Sequence, residues 1–143
     1  SAGLRLMNLL PEAAGPMWTF LAGRHLGTLA TIKRDGRPQL STVWFLAHEG
    51  VIRVSLNTQR QKTKNLAVNP AVTVHIQDTE NPIRYLEVRG DASIAPDDDY
   101  AFASLVGAKY GVPDMRVMDA AGGQRVVVTV TPVRVNAIDL AAG

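Results

Sequence analysis

From Pro11 to Leu21 the apolar positions recur at helical spacing, with Met17, Trp18 and Leu21 towards one side, and Gly23 follows as a stop. Beyond it the period changes. His25–Ile32 and Leu40–Leu46 are short β-rich runs on either side of Asp35-Gly36, a strong hairpin dipeptide. Glu49-Gly50 turns the chain into a third run, Val51–Leu56. Thr58 and Gln61 then have the spacing of a capping box, which predicts a helix from about Gln59 to Val68, ended by Asn69-Pro70. Val72, Val74 and Ile76 alternate with Thr73, His75 and Gln77, so this strand has one wet face. Ile83–Ile94 reads as a long strand in which Gly90 seats a bulge. Pro96-Asp97-Asp98-Asp99 opens a third helix that ends near Gly111. A loop containing Gly122-Gly123 leads to Arg125–Leu140, either a strand pair or one long bent strand. About six strands interrupted by helix only twice predict a mainly β chain: one antiparallel six-stranded barrel over residues 1–143, with about three peripheral helices.

Composition narrows the function classes. The chain has 143 residues, enough for one domain with a proper core, and is 46% hydrophobic and 20% charged, as globular proteins are. A net charge of +2 is too small an excess to argue for general nucleic-acid or membrane binding. The absence of cysteine excludes disulfides and thiolate metal sites and suits a cytoplasmic location. No run approaches the length of a membrane span, and Ser1-Ala2-Gly3 does not resemble the start of a signal sequence.

The two later helix starts differ in charge. Three aspartates precede the third helix, as the helix dipole prefers; as adjacent residues they point apart, which disfavours a metal site. The helix after Thr58 instead carries Arg60, Lys62 and Lys64 at its positive end. Arg60 and Lys64 also share a face, where like charges repel. An anion at the free amides would remove the conflict, because helix N-termini bind phosphate and nearby cations strengthen the contact. A solvated basic turn is the alternative, and spacing alone leaves both open.

The stretches TLATIKRDGRPQLSTVWF (28–45) and VSLNTQRQKTKNLAVNPAVTV (54–74) decide between them, because their order resembles the pyridoxamine 5′-phosphate oxidase-like split β-barrel family. The resemblance covers about residues 25 to 95, and TPVRVNAIDL is similar to the family's last strand. Short members that resemble mycobacterial flavin- and deazaflavin-dependent reductases match best in length. The resemblance implies a homodimer with FMN or coenzyme F420 in grooves between subunits. It implies that Thr58, Arg60, Lys62 and Lys64 bind the cofactor phosphate, and that Gln39, Ser41, Thr42 and Val43 line the ring. Asp78, Arg84 and Tyr85 are implied as contributions from the second subunit. The Lys62-Thr63-Lys64-Asn65-Leu66 pattern followed by Asn69-Pro70 looks more like the deazaflavin members. Lys33, Arg34 and Arg37 around the hairpin either meet an oligoglutamate tail or form a solvated basic turn. An arginine-rich substrate motif, which the family's oxidases carry after the last strand, does not follow Asp139, so pyridoxamine phosphate is not the expected substrate. The expectation is hydride transfer from reduced F420 to an unsaturated small molecule, with an FMN-dependent oxidoreductase or a non-catalytic flavin or haem binder as alternatives.

Other candidates carry less. His25, His48 and His75 show no metal-binding spacing, and Ser41 lacks the glycine context of a nucleophile elbow. Trp44, Phe45, Tyr85 and Tyr110 are aromatic residues of core or groove wall.

Overall fold

The computed structural model describes residues 20–139, so the helix expected over Pro11–Leu21 lies outside the described residues except for a 3-10 turn at Phe20–Ala22. The strands are β1 (Gly27–Ile32), β2 (Pro38–Val43), β3 (Leu46–His48), β4 (Val51–Asn57), β5 (Ala71–Gln77), β6 (Arg84–Pro96) and β7 (Arg125–Asp139). They form one antiparallel sheet in the order β2-β1-β5-β6-β7-β4-β3. The sheet has seven strands rather than six and is not closed, since β2 and β3 end the order. The run Leu40–Leu46 accounts for the difference. It breaks after Val43, and Leu46–His48 pairs with β4 instead of continuing β2. Two α-helices occur among the described residues, α1 (Gln61–Val68) and α2 (Ala101–Tyr110).

The core follows the period-2 pattern. Leu29, Ile52, Val54, Val74, Leu86 and Val88 are fully buried in one cluster, which Leu66 of α1 joins. Burying side chains of this size stabilises by about 1.5–3 kcal/mol each relative to exposure. On β7 the buried set changes parity, from Val126, Val128 and Val130 to Val135 and Ala137. A register shift opposite Arg89/Gly90 explains this: Gly90 pairs with Pro132 and Arg89 with Arg134, leaving Val133 as the extra residue. The bulge therefore lies on β7, and Gly90 is where the partner backbone comes closest; a Cβ there would collide with the Thr131 carbonyl.

The end of the third predicted helix agrees with the sequence, with Gly111 at φ 83 as its cap. Its start does not. Pro96 closes β6, Asp98–Tyr100 form a 3-10 turn, and α2 begins at Ala101. Asp97 accepts hydrogen bonds from the amides of Phe102 and Ala103, both at 2.8 Å, so an aspartate does cap the helix.

Candidate functional site

Where β4 runs into α1, Asn57 organises the chain. Its Oδ1 accepts from the Gln59 amide at 2.9 Å, and its carbonyl accepts from Thr63 Oγ1 at 2.8 Å. Its Nδ2 donates to Asp119 Oδ1 at 2.8 Å and to the Gly122 carbonyl at 3.0 Å. The expected capping box is absent. The N-cap residue is Arg60, in extended conformation, and no side chain caps α1. Thr58 instead binds the Gln124 amide through Oγ1 at 3.0 Å. Asn57 thus closes an Asx turn onto the Gln59 amide two residues on, before the helix begins.

A cavity of about 290 Å³ opens beside this helix start. Arg60, Lys62, Arg125 and Asn57 line one part of it, while Trp44, Val106, Met115 and Met118 line another. Lys62 is only 8% exposed, and no hydrogen bond or ion pair holds its ammonium among the described residues. Burial, and then the charges of Arg60 and Arg125, push its pKa down. A buried cation next to two guanidinium groups at an uncapped helix end is an electrostatic conflict that an anion would relieve.

Arg125 is already matched. Its Nε and Nη2 donate to Asp119 at 2.8 and 2.9 Å, and Nη1 donates to the Ser55 carbonyl at 3.2 Å. Asp119 also accepts from Tyr100 Oη at 2.5 Å. Burial alone would raise its pKa, but the bonds from Arg125, Tyr100 and Asn57 prevail and hold it at about 2. Asp119 ends the 3-10 turn Met115–Asp119, which carries Met115 and Met118 to the cavity. Gly122 and Gly123 then cross Asn57 at φ 98 and 85, and a Cβ on Gly123 would strike the Asn57 side chain. On the far wall Trp44 stacks on Tyr110 at 4.9 Å, and Tyr110 donates to the His25 carbonyl at 2.7 Å.

The structure brings together four of the residues expected at the site: Thr42, Val43, Arg60 and Lys62. The three cations do not converge. Lys64 lines a separate, wider depression with Lys33 and Arg34. Gln39 faces the back of α1, accepting from Asn65 Nδ2 at 2.9 Å, and Ser41 Oγ is buried without a hydrogen-bond partner. Asp78, Arg84 and Tyr85 line neither of these two cavities. Asp78 is buried in an ion pair with Arg84, which holds its carboxyl below the usual range, and Tyr85 lies against His75. Asn57, Arg125 and the two methionines carry no site signal in the sequence, whereas Trp44 is the one of the four aromatic residues of core or groove wall that lines this cavity. The glycine pair was the one signal that a backbone passes close by.

No group of three or more His, Cys, Asp or Glu able to hold a metal occurs among the described residues, and none of their helices is long and apolar enough to cross a membrane.

A profile of the family described as pyridoxamine 5′-phosphate oxidase matches residues 17–139. The chain belongs to this family. Its fold is one that binds FMN-type flavins. A solved structure titled F420 reductase is 37% identical, covering 82% of this chain and 94% of that one with a TM-score of 0.75. A conserved hypothetical protein from Mycobacterium tuberculosis is 26% identical over 97% of this chain and 88% of its own, with a TM-score of 0.71. General Stress Protein 26 from Bacillus anthracis, at 22% identity and a TM-score of 0.67 over 90% and 95% of the two chains, shows the fold alone.

The residues present fit a phosphate-bearing flavin-type cofactor. The buried Lys62 ammonium, without a partner among the described residues, suits its phosphate, and the Trp44–Met115 side suits the uncharged remainder.

Proposed function

We propose that the protein is an oxidoreductase that uses reduced coenzyme F420 for hydride transfer to an unsaturated small molecule. The observation that carries this reading is Lys62, buried beside Arg60 and without a partner among the described residues. The identity to a protein titled F420 reductase favours the deazaflavin over FMN. When bound, the cofactor supplies the hydride; this chain binds, orients and shields it. Arg60 and Lys62 hold the phosphate, Thr42 and Val43 face the adjoining groups, and the methionines keep water from them. The depression with Lys33, Arg34 and Lys64 takes the carboxylates of a glutamyl tail. No side chain is assigned as proton donor.

The cavity is at the lower end of the range for ligand pockets, roughly 300–1,000 Å³, and too small for the whole cofactor. A homodimer that completes the groove follows, with Arg84 and Tyr85 facing it from the second subunit and Asp78 holding Arg84. Titration with reduced F420 and with FMN, over a range of salt, tests the reading. F420 should bind more tightly and lose affinity more steeply with salt, because its tail adds charge. Stoichiometric FMN in the purified protein would favour the FMN-dependent alternative, and binding without turnover would favour a non-catalytic carrier. Sedimentation checks the dimer.

A further inference from the structure

Three cations line the cavity, yet they are not equivalent. Among the described residues Arg60 and Lys62 have no carboxylate against them, whereas Arg125 is paired through two nitrogens with Asp119. The Arg125 and Asp119 side chains are 8% and 5% exposed, so the pair is screened from water. Asp119 reaches this position from the loop after α2, held by Asn57 and Tyr100. Asp99 and Tyr100 both adopt positive φ, of 56 and 57, a conformation unfavourable for non-glycine residues.

We infer that Asp119 is a specificity-determining residue: by neutralising Arg125 it limits the site to two free cations and so favours a singly charged phosphodiester over a doubly charged phosphomonoester. This deepens the reading of the cavity as a phosphate site and rests on it. Attraction to fixed cations grows in proportion to the ligand's charge. The cost of removing that charge from water grows as its square, so a dianion needs more cations than a monoanion to enter. A monoester carries about −1.5 to −2 at pH 7, and a diester carries one charge. With Arg125 uncompensated, the dianion would gain about twice as much as the monoanion. With the pair intact, the Asp119 charge offsets most of that gain for both. The carboxylate stays ionised throughout the working range, since its four donors hold its pKa at about 2. Asp119 need not touch the ligand; it acts through Arg125.

Displacement of F420 from the full chain, read by fluorescence anisotropy, tests this with phenyl phosphate as the monoester and methyl phenyl phosphate as the diester. In the unmodified protein the diester should displace at lower concentration. Asp119→Asn should move the ratio of the two towards the monoester by roughly tenfold, the effect of one charge at partly buried range. Arg125→Gln, which leaves the carboxylate unneutralised, should move it the other way. The double variant should return to the starting ratio. If Asp119→Asn does not fold, Arg125→Gln decides alone. A purely structural role predicts weaker F420 binding with an unchanged ratio, and that result overturns the inference, as would unfolding of both single variants. If F420 does not bind the unmodified protein, the phosphate reading itself falls; if it binds and the ratios do not move, only the role of Asp119 falls.

Discussion

Thr58 and Gln124 hold each other by two hydrogen bonds: the Thr58 amide donates to the Gln124 carbonyl at 2.9 Å, and the Gln124 amide donates to Thr58 Oγ1 at 3.0 Å. The hydroxyl that resembles a helix cap in the sequence is therefore the anchor of the loop that covers the cavity. Replacing Thr58 by Val keeps the shape and the first bond and removes the second, which should cost about 0.5–1.5 kcal/mol. Amide exchange should accelerate at Gln124 while the amides of α1 keep their protection. Faster exchange in the first turn of α1 would restore the capping role.

Gly90 gives a prediction about the bend. A Cβ at this position would overlap the backbone of Thr131, and backbone cannot rotate away as a side chain can. Gly90→Ala should therefore destabilise by about 1–3 kcal/mol, as overpacking does. Denaturant midpoints measure it. A neutral substitution would mean that the β6–β7 pair shifts freely at the bulge.

The sequence made the strands legible because each buries one face, so alternation at Val72–Gln77 and the Asp35-Gly36 turn are local signals. It also placed Gly90 at the irregularity, though the extra residue is Val133 on the partner strand, where no local signal marks it. The helix boundaries failed where polar residues had several partners to choose from. Thr58 could serve a helix or a loop 66 residues away, and only the fold decides. The candidate site was legible on one side only. Arg60 and Lys62 stand in a readable cluster, whereas Asn57, Trp44, Asp119 and Arg125 meet through long-range contacts that leave no spacing in the chain. Lys64, two residues from Lys62, faces elsewhere because residues two apart on a helix do not share a face.

Lys109 carries a dependence on pH. Its ammonium donates to the carbonyls of Phe45 at 2.8 Å and Leu21 at 3.1 Å, and lies 4.1 Å from the centre of the Phe45 ring. Burial lowers its pKa from 10.5 to about 8. Between those values the unfolded chain binds more protons at this group than the folded one, so stability from this residue rises with pH there. Lys109→Met should reduce the rise expected of the unmodified protein between roughly pH 8 and 9.5, to which Lys62 with its lowered pKa also contributes, below the range where Tyr100 and Tyr110, both with raised pKa, begin to oppose it. Parallel denaturation curves at the two pH values compare them, and an equal rise in the variant would remove Lys109 as its source.

Lys62 separates binding from stability. In the absence of ligand its charge is buried, opposed by Arg60 and Arg125, and placed in the first turn of α1, where the helix dipole disfavours it. Lys62→Met retains most of the aliphatic stem and removes only the charge. The ligand-free variant should be as stable as the unmodified protein or more so, most clearly at neutral pH. There the lysine must be held charged in the fold, and the penalty fades as pH rises through its lowered pKa. Cofactor affinity should move the opposite way. Loss of one charge-assisted hydrogen bond, about 1.5–3 kcal/mol, corresponds to roughly a ten- to hundredfold weaker Kd. Arg60→Ala should weaken binding in the same direction, since both side chains line the one cavity, whereas Lys64→Ala should weaken F420 only through its glutamyl tail, by less and chiefly at low salt, because Lys64 lines the other. Fluorescence titration and thermal melts of the three variants measure both quantities. Unchanged affinity in the Lys62 and Arg60 variants would remove the phosphate from this cavity, and a loss confined to Lys64→Ala would move it to the second depression.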